Sequence, residues 1–185
     1  MGRPKKKVEI IEKVAPHTIK KCELIEHYVD EWARKILGFN GMNGRDGSKG
    51  IIYIDCMSNS GLYYDSEDNL VDGTALRVAK RLNDILPKYP DKMGYVMFND
   101  ISQEKIDCLK REIDKLKLSN ITFRFNCGDG NEFIRELDIK ELQKKCGTLL
   151  LYDPYQATID WDAITPYLNI WGEVIINHMV SDTNR

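Results

Sequence analysis

Apolar residues fall into two kinds of run along this chain. Short runs dominated by β-branched, aliphatic and aromatic residues occur at Ile51–Ile54, Gly94–Asn99, Ile121–Phe125, Thr148–Tyr152 and Glu173–Ile176. Runs of that length and content predict strands, and the unbroken ones predict strands covered on both faces. Between them, apolar positions recur every three or four residues, the period of a helix with one buried face. From Pro16 to Leu37 the stripe is Ile19, Cys22, Ile25, Tyr28/Val29, Trp32 and Ile36, with Thr18 as the expected cap and Gly38 as the stop. Further helices are expected from Thr74, as cap, to about Leu86, and from about Ser102 to Leu116. Two more are expected from Gly130 to about Lys145 and from Trp161 to about Leu168. Strands alternating with helices predict an α/β domain with parallel pairing and right-handed crossovers.

The segments that lack either period read as loops. Gly38 to Gly50 is rich in glycine, and Leu62 to Gly73 is polar with two tyrosines. Met1 to Lys7 is a basic tail; Gly2-Arg3-Pro4 resembles the core of an AT-hook, and a solvated end explains it as well. The organisation read from these patterns is a basic N-terminal tail over 1–15 and one domain over 16–185. His17 and His27 share no metal-ligand spacing, though His17, at the helix start, is placed to reach a ligand.

Each strand ends in a polar residue: Asp55, Asp100, Asp129 shortly after the third, Asp153 and Asn177. Open α/β sheets bind ligands in the crevice outside the carboxyl ends of their strands. A phosphate-bearing ligand there calls for a glycine-rich turn of the G-x-G-x-x-G or Walker type, and this chain has neither. An acid at the end of each of four strands suits S-adenosylmethionine, which offers an ammonium, a sulfonium, a ribose diol and an adenine amine. In that reading Asp55 and the loop from Ser58 to Gly61 hold the methionine end. Asp100, with Ile101 beside it, takes the ribose, and Gly128-Asp129 takes the adenine amine. Any one aspartate is equally explained as a cap on the next helix; four at one sheet edge favour a site. Asp153-Pro154-Tyr155 resembles the turn with which amino-methyltransferases hold a base: a polar side chain accepts from the target amine and the ring stacks. Here there is one proline and then Gln156, and a plain structural turn explains the residues as well.

Composition narrows the partners. The 27 basic and 29 acidic residues nearly cancel, so no global field draws in nucleic acid or membrane. No apolar run approaches the roughly 20 residues that span a bilayer, and the N-terminus lacks an apolar leader, which predicts a cytoplasmic protein. The five cysteines are scattered, with no C-x-x-C pair, and read as reduced thiols rather than disulfides or metal ligands.

Several short segments in order along the chain resemble the three-Cys-motif partner proteins. They are His17-Thr18 with Lys20, Tyr28 and Trp32; Tyr53-Ile54-Asp55 with Gly61 and Tyr63; Gly73-Thr74; Leu151 to Tyr155; and Ile175-Ile176-Asn177. That family is similar to class I S-adenosylmethionine-dependent methyltransferases and is named for a partner carrying a three-cysteine motif, itself similar to radical-SAM proteins. The resemblance implies a Rossmann-like fold with sheet order 3-2-1-4-5. This chain departs from it after Asp55, where Cys56, Met57, Asn59 and Ser60 replace glycine, phenylalanine, glycine and proline. Two functions are therefore expected. One is methyl transfer onto a nitrogen of a nucleic-acid base, or behind it a protein amine. The other is a catalytically degenerate binding or assembly module of a bacterial mobile-element or defence system. Class I enzymes add two further strands, for which the nine residues after Ile176 leave no room. Strand five is then expected at an edge, covered by another chain or by a C-terminal segment beyond this fragment.

Overall fold

The five apolar runs become one sheet in the computed structural model, which describes residues 9–43, 45–118, 120–154, 159–169 and 171–177. In chain order the elements begin with β1 (Glu12–Lys13), α1 (Pro16–Gly38), β2 (Gly41–Met42), β3 (Arg45–Asp46) and β4 (Gly50–Asp55). They continue with β5 (Leu62–Tyr64), β6 (Leu70–Asp72), α2 (Thr74–Ile85), β7 (Met93–Asp100), α3 (Gln103–Ile113) and β8 (Ile121–Cys127). The last are α4 (Gly130–Glu136), α5 (Lys140–Gln143), β9 (Cys146–Tyr152), α6 (Trp161–Ile164) and β10 (Gly172–Ile176).

The main sheet has the order β10-β9-β4-β7-β8, and every pairing in it is parallel. β4 lies at its centre and is buried at all six positions, as its unbroken apolar run requires. Counted along the chain the strands read 3-2-1-4-5, and β10 is one edge. Alternate residues feed two separate cores, following the period of two in a strand. Tyr53, Phe98, Leu149 and Leu151 pack with α1, α2 and α3 on one face. Ile52, Ile54, Leu150 and Tyr152 pack with α4 and α6 on the other. Inside the first core Phe98 stacks on Phe123 and meets Tyr53 edge-on.

Local readings differ from the structure at several points. Neither Thr18 nor Thr74 caps a helix. Pro16 starts α1 behind Ala15, because its ring presets the helical φ. Gly73 precedes α2, and the Thr74 hydroxyl instead donates to Cys22 Sγ at 3.2 Å. In α1 the buried stripe is Cys22, Ile25, Val29, Trp32, Ala33 and Leu37; Tyr28 is exposed and bonds Glu173. The helix expected from Gly130 to Lys145 breaks into α4 and α5, since Leu137 and Ile139 both turn inward at the join. The polar loop after Gly61 contains the β5–β6 hairpin, and β1 adds to it in parallel, so residues 12 and 13 of the segment read as a tail belong to a small second sheet. The glycine-rich loop pairs briefly through β2 and β3. The basic residues of 1–7 lie outside the described residues.

No helix among the described residues is long and apolar enough to cross a membrane.

Candidate functional site

The loop after β4 turns on backbone chemistry rather than on glycine alone. Asn59 has φ 57°, the left-handed region that glycine favours and asparagine tolerates, so a side chain is accommodated at that position. Its Oδ1 accepts the Ser60 N–H at 2.6 Å, and the Ser60 hydroxyl donates to the Leu62 carbonyl at 2.9 Å. Cys56 points into the second core, with Sγ donating to the Leu151 carbonyl at 3.3 Å. The substituted loop is thus closed by its own hydrogen bonds. Ser58 is buried, and its N–H and hydroxyl both reach the Asn99 carbonyl. Gly61 has φ 75°, and a Cβ there would lie 2.5 Å from Leu109 Cδ1, so it serves the packing of the loop against α3.

Asn99 was not singled out by sequence reasoning, yet it joins the strand-end loops. Its Nδ2 donates to the carbonyls of Cys56 and Gly128, both at 3.0 Å, and its Oδ1 accepts from Asn126 Nδ2 at 2.7 Å. A signal was present: a fully amide-bearing residue inside an otherwise apolar strand needs buried partners. Beside it, Asp100 is 4% exposed and accepts the Asn59 N–H through Oδ2 at 3.0 Å and the Ser102 N–H through Oδ1 at 2.9 Å.

These loops enclose a cavity of about 260 Å³ at the carboxyl ends of β4, β7, β8 and β9. It is lined by Met57, Asp100, Ile101, Gly128, Asp129, Tyr152 and Pro154 among others. Ile101 is 76% exposed at its edge. Asp129 caps α4, its Oδ1 accepting from Asn131 and Glu132, and it also lines the cavity. Gly130 is forced by close approach, since a Cβ there would sit 2.8 Å from the Cys56 carbonyl oxygen. The Tyr152 hydroxyl donates to Asn131 Oδ1 at 2.9 Å, fixing that wall.

A second cavity, about 200 Å³, shares Met57 and Pro154 with the first. Asp153 lies in it, held on both oxygens: Lys21 Nζ donates to Oδ2 at 2.7 Å and Asn177 Nδ2 to Oδ1 at 2.6 Å. Lys21 also escaped sequence reasoning, which took its neighbour Lys20. The other walls come from β1 and β5, including Glu12, Asn59 and Tyr63. Of the residues expected to act together, Asp100, Ile101, Gly128, Asp129 and Pro154 share the first cavity, and Asp153 and Pro154 share the second. Asp55, Ser58 and Gly61 line neither, and Tyr155 lies outside the described residues.

Asp55 lies beneath this surface, 2% exposed, accepting the Met57 N–H at 3.1 Å. Burial pushes its carboxyl up to about 7, and the nearby Asp153 and Asp100 charges push the same way, against the Met57 amide and Lys21. Among the described residues no group of three or more His, Cys, Asp and Glu side chains is placed to hold a metal ion. Compared with models of known protein families and with curated proteins, the chain matches none.

Proposed function

We propose that the first cavity binds S-adenosylmethionine and that the chain is a methyltransferase acting on a nitrogen of a nucleic-acid base, in line with its resemblance to the three-Cys-motif partner proteins. The observation that carries this reading is the pairing of two carboxylates with an uncovered aliphatic side chain at the ends of four parallel strands. Asp129 already occupies the first amides of α4, the groups a phosphate would need, and its Oδ2 is left to accept from an amino group. Each Asp100 oxygen spends one lone pair on a backbone amide and keeps another for a hydroxyl. Ile101 offers a flat apolar contact for an adenine ring. The cavity lies just below the roughly 300–1,000 Å³ usual for ligand pockets.

When bound, this cofactor would supply a sulfonium-activated methyl group, the nitrogen–carbon bond forming as the carbon–sulfur bond breaks, with sulfur leaving as a thioether and the nitrogen's proton passing to water. The chain's part is to orient the amine. Asp153 accepts from it in this reading, with Lys21 and Asn177 fixing the position of the carboxylate.

A three-Cys-motif partner and a cytoplasmic setting belong to the same proposal. A second reading, a binding module without turnover, is favoured by one observation: both Asp153 oxygens are already engaged inside the protein. Transfer of tritiated methyl from S-adenosylmethionine onto DNA, RNA and protein fractions separates the two. Label in nucleic acid supports base methylation, and a chain that binds the cofactor but labels nothing is a binding module.

A further inference from the structure

We infer that the second cavity is the site of the methyl acceptor, and that the acceptor is an uncharged, planar, amine-bearing base received by Glu12 and Asp153. This rests on the methyl-transfer reading of the first cavity. The two cavities meet at Met57 and Pro154, so a group passing between their ligands has only that wall to cross.

Charge selects the kind of amine. Glu12 is paired with Lys105 at 2.6 Å, and Asp153 with Lys21 at 2.7 Å. A lysine therefore stands against each carboxylate, and neither carboxylate meets the cavity uncompensated. An alkylammonium entering this cavity would lose water without meeting an uncompensated carboxylate. The exocyclic amine of a base is neutral near pH 7 and needs only hydrogen-bond acceptors, which a paired carboxylate still provides.

Shape agrees with charge. β1 and β5 set Glu12 directly across from Tyr63, putting an acceptor next to an aromatic ring. Rings of this kind stack on unpaired bases while neighbouring polar groups read their edges. The site is built by the N-terminal segment, so its specificity resides in residues 12–21 as much as in the Asp153 turn.

The test is to titrate the full chain, saturated with S-adenosylhomocysteine, with adenosine, cytidine and guanosine, using uridine and lysine amide as controls. At least one amine-bearing nucleoside should bind tenfold or more tightly than uridine, and lysine amide should bind weakly. Glu12→Gln should weaken that nucleoside at least fivefold, and Thr18→Trp, which fills the cavity from α1, should abolish its binding. Circular dichroism checks that both variants fold, and Glu12→Gln, at a half-exposed position, keeps the test valid if the larger change does not. Equal binding of uridine, tighter binding of lysine amide, or no response to Glu12→Gln would overturn the inference. Affinity for S-adenosylmethionine is measured separately in each variant. Its loss in the native chain with nucleoside binding intact rejects methyl transfer, whereas nucleoside failure with cofactor binding intact rejects the acceptor site alone.

Discussion

Asp100 accepts the backbone N–H of Asn59 at 3.0 Å, so the carboxylate facing the first cavity also holds the loop that separates it from the second. Its other oxygen takes the Ser102 N–H at 2.9 Å, ahead of α3. Removing the carboxylate orphans two backbone amides near a side chain that is almost fully buried. Asp100→Ala is expected to cost about 2–6 kcal/mol of stability, at roughly 1–3 kcal/mol for each of the two donors left unpaired. Urea unfolding measures it; a loss under about 0.5 kcal/mol would mean that water replaces both contacts freely.

A pH dependence follows from Asp55. Its folded carboxyl titrates near 7, above the ordinary value of 3.8. A group raised in this way contributes fully below its unfolded pKa, and the contribution is lost as pH rises through the folded one. Stability is therefore expected to fall between about pH 4 and pH 7 by on the order of a few kcal/mol from this group. Asp55→Asn keeps an acceptor for the Met57 N–H and should flatten that part of the profile. Parallel slopes in the native chain and the variant would contradict the assignment.

Most of the architecture was legible in the sequence because it depends on burial. Ile51 to Ile54, Val96 to Phe98 and Leu149 to Leu151 are apolar on both faces, and only interior strands of a covered sheet require that. The acids at the strand ends were legible because each breaks an apolar run, although Asp55 and Asp100 are themselves buried. What the sequence hid is whatever depends on distant partners. Lys21 is one more charge on an amphipathic helix until β9 brings Asp153 to it. Asn99 looks like the polar end of a strand until Cys56 and Gly128 supply carbonyls. Gly61 reads as room for a ligand, yet the space it leaves is filled by Leu109. The loop substitutions look obstructive in one dimension, whereas Asn59 in a left-handed turn and Cys56 facing the core leave the turn intact.

Asp153 and Lys21 are expected to matter for turnover far more than for folding. Their side chains are 26% and 31% exposed, and pairs that accessible contribute about 0–1 kcal/mol to stability. Asp153→Ala should lower methyl transfer by roughly 100-fold or more, the scale of a lost group acting at the reacting centre. Affinity for S-adenosylmethionine should change less than about threefold, since in the proposed function the residue meets the acceptor and not the cofactor. Measured side by side, equal losses of cofactor affinity and of transfer would make the turn structural.

The central claim is that the cavity formed by Asp100, Ile101 and Asp129 binds the cofactor, and calorimetric titration of the chain with S-adenosylmethionine and S-adenosylhomocysteine tests it most directly. One site is expected for both ligands, and Asp100→Ala should weaken each by roughly 1.5–3 kcal/mol, the scale of hydrogen bonds to a charged group. A folded chain that gives no binding heat with either ligand at millimolar concentration, or a folded Asp100→Ala variant that binds them unchanged, would contradict it.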